Sequence, residues 1–417
     1  MDYKIFGCKV NKYYLNKRLN YFSSENSPLG REKQGVKSGN FIIASCVVTD
    51  KAKNKFIKET IKQVENGKHV YLTGCAVFDK GAKMNDDRFY SIYPELKKFK
   101  KNITLLGEEP DKKSTSPLIK GESKGDLKTA NIYTKKFIVI QNGCDNYCSF
   151  CLTINKRGKS KNIPANEIIQ EINDFVSIGG KEIVITGINL AARGCTNTKK
   201  PQDSKFAELL QQILDETKIE RIRISSLGPE FLNDKFFEVI KNPRFLPHFH
   251  LSIQSFSDKI LKSMNRHYDS QILDNVINRL KNLDRPDKKQ ISIGADIIVG
   301  FPGETEEDFQ KTIDGISKHK INKVHAFPFS SHEKGETIPA HGLPDQILQE
   351  IKKRREKELK KITDQIREDF IKANKGLEHE ILVEEQKNGK RRGWTGNYIQ
   401  VELEGNYTKG TIEKIIL

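Results

Sequence analysis

The 417-residue chain has no apolar run approaching the roughly 20 residues that span a bilayer. Its opening text, Met-Asp-Tyr-Lys-Ile-Phe-Gly-Cys, lacks the apolar centre of a secretory signal and reads as a first strand. No internal repeat stands out, and no isolated basic amphipathic anchor is present, which makes an anionic membrane surface the weaker choice of partner. Acidic residues are in deficit, with 55 Asp and Glu against 72 Lys and Arg, a net charge of +17. Such a surplus says little about fold but favours a polyanionic partner such as nucleic acid. The expected location is cytoplasmic. Seven cysteines in that compartment stay reduced, and clustered ones point to metal or catalysis before disulfides. The length suggests two or three domains, and at 36% hydrophobic residues the chain can bury a sizeable core.

The fold class is α/β. Short apolar strands at 3–6, 41–44 and 69–72 alternate with polar helical stretches, which predicts an N-terminal open parallel α/β domain over residues 1–107. Residues 108–130 turn rich in Lys, Ser, Gly and Pro and read as a linker. From 131 to 343 a second series places strands at 137–141, 182–186, 221–225, 250–253, 291–299 and 323–327 with helices between them. That pattern predicts a partial (β/α)6 barrel. A basic helix follows over 344–375. Residues 376–417 alternate apolar and polar between Asn-Gly and Gly-Asn turns, as in a small all-β module.

The densest chemistry is Cys144-x3-Cys148-x2-Cys151, directly after a barrel-type strand. Three thiolates on one loop can wrap one metal centre. A structural zinc site needs a fourth N or S ligand, and the loop offers no histidine. Three ligands on a [4Fe–4S] cluster leave one iron open to a cofactor. Cys8, Cys46 and Cys75 are scattered in sequence but each stands just past a predicted strand. Ligands gather at the carboxyl ends of parallel strands, so three strands deliver three thiolates to one crevice and predict a second cluster. Cys195 lacks such a context and reads as structural.

The spacing of the 144–151 triplet, with Phe150 before its last cysteine, resembles the radical S-adenosylmethionine (SAM) superfamily. That resemblance implies SAM contacts at Phe150, Thr186, Gly187, Asn189, Ser225, Gln254, Asp296, Ile298 and Gly300, on turns after successive strands. With both triplets placed, the whole chain is similar to the radical SAM methylthiotransferase family. The family joins an N-terminal α/β domain, a partial SAM barrel and a C-terminal β module called TRAM. Gly7-Cys8-Lys9-Val10-Asn11, Ser45-Cys46-Val47-Val48-Thr49 and Met264-Asn-Arg266-His-Tyr268 look like its branch acting on threonylcarbamoyladenosine in tRNA. The resemblance implies two [4Fe–4S] clusters, SAM as both methyl donor and radical source, and attack at carbon 2 of the nucleoside at position 37, in the anticodon loop. A flavodoxin- or ferredoxin-type electron donor and a monomeric state are further expectations. The sequence departs from the family at Gln254-Ser255-Phe256, where a ring replaces a glycine.

For RNA contact the sequence offers Lys156 and Arg157 after the triplet, and Arg391, Arg392, Trp394 and Tyr398 in the β module. Cations interleaved with aromatics suit phosphate neutralisation and base stacking. The run Lys352–Arg355 reads as a solvated helix face. Two other readings compete: a methylthiotransferase acting on a protein aspartate, and a non-catalytic iron–sulfur RNA-binding protein.

Overall fold

The computed structural model describes residues 2–23, 39–47, 49–107, 134–195, 197–198, 200–332, 336–387, 390–403, 405 and 407–417, with backbone only for 20–23 and 385–387. The expected linker at 108–130 lies outside the described residues.

A four-stranded parallel sheet opens the chain, formed by Asp2–Ile5, Asn40–Ser45, His69–Gly74 and Ile103–Leu105 in that order. The last of these strands was not expected from the sequence. Its core gathers Phe41, Ile43, Val70 and Leu72 against Phe56, Phe89 and Tyr93. The inner strand Asn40–Ser45 is a nearly continuous apolar run because both its faces are covered, whereas Asp2–Ile5 is an exposed edge.

Six parallel strands follow: Lys136–Asn142, Glu182–Gly187, Arg221–Ile224 continuing as Ser226–Leu227, His248–Gln254, Ser292–Val299 and Lys323–Pro328. The third is interrupted at Ser225. Its first half pairs with the strand before it and its second half with the strand after. A break there bends one sheet into an open half-barrel. Ile183, Ile185, Ile222, Leu251, Ile293 and Ala295 pack against surrounding helices in the main core, which leaves the alternate residues facing inward.

That inner face is partly filled by the first helix, Lys9–Ser23. Val10, Tyr13 and Tyr14 recur at helical spacing and pack on Phe137, Val139 and Val184 of the barrel. Leu15 on the other side meets Ile42 and Ala44 of the first sheet. One helix therefore belongs to both cores and fixes the two sheets against each other.

A 25-residue helix, Gln349–Ala373, straps the barrel to the C-terminal module. Leu359 enters the main core. The run read as a solvated face is half buried. Lys352 donates to the Phe329 carbonyl at 3.2 Å, and Arg355 pairs with Glu304 at 2.6 Å. The module is an antiparallel sheet of Glu378–Lys387, Lys390–Thr395, Gln400–Leu403 and Ile412–Ile416. Tyr398 sits in the turn before the Gln400–Leu403 strand, with φ of 69°. Among the described residues no helix is long and apolar enough to cross a membrane.

Candidate active site

The register of the first sheet sets Ile5 beside Ala44 and Ala44 beside Thr73. Cys8, Cys46 and Cys75 therefore leave three adjacent strands at the same end. Asn11, on the first turn of the first helix, ties these ends together by donating to the Phe6 and Ser45 carbonyls at 3.0 and 2.7 Å. Ser45 Oγ accepts from Ala76 N at 3.0 Å and fixes the Cys75 turn. Gly7, at φ of 106°, is needed because a Cβ there would lie 2.6 Å from Cys46 Cβ.

The second triplet lies on the loop after Lys136–Asn142. Backbone and side-chain donors aim at its sulfurs: Asn146 N at 3.5 Å from Cys144 Sγ, Thr153 N at 3.3 Å from Cys151 Sγ, and Arg266 Nη1 at 3.1 Å from Cys148 Sγ. Burial pushes the Cys144 thiol up to about 12 and raises Cys151, with neighbouring sulfurs adding to both. Thiols in such a place lose their protons to a metal far more readily than to water. No histidine or fourth cysteine joins them among the described residues. Cys195 packs against the main core, and Thr198, three residues on, donates to the Asp145 carbonyl of this loop at 3.1 Å.

Lys156 and Arg157 do not face solvent, which corrects their assignment to RNA. Lys156 is 1% exposed and pairs with Glu336 at 2.5 Å. Arg157 is 4% exposed; its Nε donates to Cys75 Sγ at 3.3 Å and its Nη2 to Asn11 Oδ1 at 2.7 Å. Lys80 N and Gly81 N bond the Asn155 and Lys156 carbonyls, and Cys144 N bonds the Gly158 carbonyl. The loop that carries one cysteine triplet thus ends with a guanidinium on a cysteine of the other. Only the folded contact reveals this, since a basic pair in sequence reads as surface.

Around the second triplet, Phe150 and Ile298 share an apolar cluster with Leu152, Met264 and Phe301. Thr186 and Ser225 end adjacent strands, and Ser225 Oγ donates to Thr186 Oγ1 at 3.2 Å. Gln141, overlooked in the sequence, shapes the Gly187–Asn189 turn: its Oε1 accepts from Ile188 N and Asn189 N at 3.2 and 2.9 Å. Gln254 sits at φ of 69° where the pairing slips by one residue, a bulge that turns its side chain. Asn189 Nδ2 and Glu230 Oε2 are buried without a hydrogen-bond partner. Orphaned polar atoms of this kind beside the cysteine loop fit a bound polar cofactor. Gly300 is also required by packing. A Cβ there would lie 2.4 Å from Lys352 Cγ, so the glycine makes room for the long helix.

Asp296 faces inward and is shared by two imidazoles, His250 Nε2 at 2.9 Å and His325 Nδ1 at 3.3 Å. Burial alone would raise its pKa, but the imidazoles hold it well below the carboxylate range. Arg223 and Arg221 flank Glu182 at 3.0 Å each. Lys9 enters the same space, and burial together with Arg223 brings its ammonium down to about 8.

The β module covers the amino-terminal ends of the barrel strands. Tyr398 is stacked between His248 at 4.3 Å and Trp394 at 4.5 Å, with Lys323 Nζ 4.0 Å from its ring. Its two faces are used inside the protein, so it does not offer a free platform for a base. Arg391 and Arg392 remain partly exposed, and Arg392 pairs with Glu402.

Three cysteines on the loop after the first strand of an open parallel barrel, with orphaned polar atoms around them, define a radical SAM enzyme. The Radical SAM superfamily profile matches residues 138–316, and that of Uncharacterized protein family UPF0004 matches residues 1–92. The chain is 33% identical to threonylcarbamoyladenosine tRNA methylthiotransferase MtaB of Thermotoga maritima, covering 96% of this chain and 90% of that one. It is 31% identical to the protein of the same name from Rickettsia prowazekii, over 98% and 92%. It is also 33% identical to tRNA-2-methylthio-N(6)-dimethylallyladenosine synthase of Buchnera aphidicola, over 88% and 86%. The chain belongs to the radical SAM methylthiotransferase family, whose barrel binds SAM and a [4Fe–4S] cluster.

Proposed function

We propose that this enzyme methylthiolates carbon 2 of N6-threonylcarbamoyladenosine at position 37 of tRNA, with one [4Fe–4S] cluster on Cys144, Cys148 and Cys151 and a second on Cys8, Cys46 and Cys75. The observation that carries the two-cluster reading is the Arg157 bridge, which joins the end of one cysteine loop to Cys75 of the other triplet. Chemistry that moves sulfur from one centre to a carbon activated at another needs the two held together. When bound, SAM supplies the methyl group and, with one electron from the cluster, the oxidising power to remove hydrogen from an unactivated carbon.

The chain's own residues position and shield. Asn11 and Arg157 hold the N-terminal triplet, Arg266 donates to Cys148, and the Phe150–Ile298 cluster keeps water from the loop. The charge of +17 supports a tRNA substrate. Residues 1–107 carry the second cluster, 131–343 the SAM site, and Arg391 and Arg392 of 376–417 the RNA contact. The working protein is a cytoplasmic monomer reduced by a flavodoxin or ferredoxin.

The test is nucleoside mass spectrometry of tRNA from cells with and without the gene, together with iron analysis of the purified protein. Loss of the methylthio form with threonylcarbamoyladenosine accumulating supports the reading. An unchanged tRNA profile with expression verified overturns the tRNA assignment and favours a protein substrate. Replacing Cys8, Cys46 and Cys75 by alanine is expected to halve the iron. Unchanged iron overturns the second cluster.

A further inference from the structure

The inward faces of the last three barrel strands bring together His250, Asp296 and His325, three metal-ligating side chains outside both cysteine triplets. The register places His325 directly beside Asp296, and His250 beside Gly294, two residues earlier on the same face. A Cβ at Gly294 would lie 2.5 Å from His250 Nδ1, so the glycine lets that imidazole cross the strand and bring Nε2 to Asp296. Asp296 Oδ1 lies 2.9 Å from His250 Nε2 and 3.3 Å from His325 Nδ1. One donor atom from each of the three residues falls within 4.8 Å of the other two. An ion bound about 2.0–2.1 Å from nitrogen and oxygen donors sets them about 2.9 Å apart at a right angle and about 3.3 Å apart at the tetrahedral angle. Both carboxylate–imidazole separations match those values. No lysine or arginine forms an ion pair with Asp296 among the described residues. His250 is buried and half of the His325 side chain is exposed, so the cluster has one covered side and one open side.

We propose that His250, Asp296 and His325 form a mononuclear site for a divalent transition metal, zinc being the ion that its donors suit. Two imidazoles and one carboxylate are a donor set with which zinc keeps a fourth position open. Strands hold such groups more precisely than loops do. His325 stands on the edge strand of its sheet and leaves the open position toward the mouth of the half-barrel. A bound ion cross-links the last three strands at that edge and offers its free position to an oxygen donor such as water, a carboxylate or a phosphate. Nitrogen and oxygen donors also set this centre apart from the thiolate-bound clusters. The site does not rest on the tRNA reading, and zinc binding and nucleoside change are read separately.

The experiment uses the full-length protein with its iron–sulfur centres reconstituted, as wild type, His325→Ala and Asp296→Asn. Zinc affinity is measured anaerobically by competition with a chromophoric chelator, and zinc and iron are counted in the same samples. Zinc K-edge X-ray absorption then reads the donors. The wild type is expected to take up about one zinc per chain, with two imidazoles in its spectrum, ligands at about 2.0–2.1 Å and no sulfur at about 2.3 Å. Loss of a direct ligand costs at least as much as loss of an outer-shell partner, so each variant is expected to bind zinc about a hundredfold more weakly or worse, with iron unchanged. Sulfur around the zinc assigns it to cysteines and overturns the proposal. So does equal affinity in wild type and variants, or a wild type that takes up no zinc. If the variants lose iron, the wild-type spectrum decides: two imidazoles without sulfur support the site, and any other donor set overturns it.

Discussion

Single side chains set the chemistry of the cysteine loops. Arg266 is buried, donates to Cys148 Sγ at 3.1 Å and lies over the Tyr268 ring. A donor and positive charge at a cluster sulfur favour the reduced, more negative state. Arg266→Met is therefore expected to shift the midpoint potential of the barrel cluster downward and to lower turnover about 10–100-fold. A redox titration followed by electron paramagnetic resonance checks it, with unchanged iron separating tuning from loss of structure. Under the two-cluster proposal, Arg157→Met is expected to lower iron toward half while binding of SAM stays intact, because Arg157 reaches Cys75 and Asn11. A variant with full iron and wild-type turnover removes Arg157 from the account.

At the scale of elements, one departure from the family pattern is compensated within the fold. Phe256, standing where the family has glycine, is buried against the helix Glu306–Lys318 and stacked 6.0 Å from His319. That helix carries Gly315, and a Cβ there would lie 2.4 Å from the Phe256 ring. Gly315→Ala is expected to destabilise by about 1–3 kcal/mol through overpacking. Urea unfolding reads the effect, and adding Phe256→Ala should recover most of it. Glu182 links barrel strands through Arg221 and Arg223, and Arg223 continues to the Thr395 and Gly396 carbonyls of the β module. Burial opposes the charge of Glu182, but Arg223 and Arg221 win and bring its pKa from 4.5 down to about 2. A depressed carboxylate stabilises the fold fully above its unfolded value, and the contribution fades as pH falls from about 4.5 toward 2. Unfolding measured across that window is expected to lose stability as acid is added. Glu182→Gln flattens this dependence and costs about 3–5 kcal/mol at neutral pH, since it leaves two buried guanidinium groups without their anion.

For the whole molecule, the excess of 17 positive charges lies mostly in residues 1–107, where 21 Lys and Arg face 10 Asp and Glu, while residues 376–417 carry 6 against 7. Affinity for tRNA is expected to fall steeply with salt, by tenfold or more between about 50 and 200 mM. A flat salt response removes phosphate contact as the main source of affinity. Removing residues 376–417 strips the cover from His248 and Arg223 and takes a partner from Arg367, which donates to the Tyr398 carbonyl at 2.6 Å.

The sequence by itself determined the α/β class, both cysteine triplets and the membership of the barrel in the radical SAM class. Apolar strand runs, cysteine spacing and position after strands are local properties, written in consecutive residues. Only the tertiary structure decided what the cations and rings touch. Lys156, Arg157 and Arg355 read as surface because long basic side chains carry no periodic signal, yet acids and a thiol from distant strands and loops bury them. Gly300 read as a ligand turn, and the space beside it is also needed by Lys352, 52 residues later in the chain. Tyr398 read as a base-stacking platform until His248 and Trp394 closed over both its faces. The pairing of residues far apart in the chain is set by packing, and packing exists only once the chain has folded.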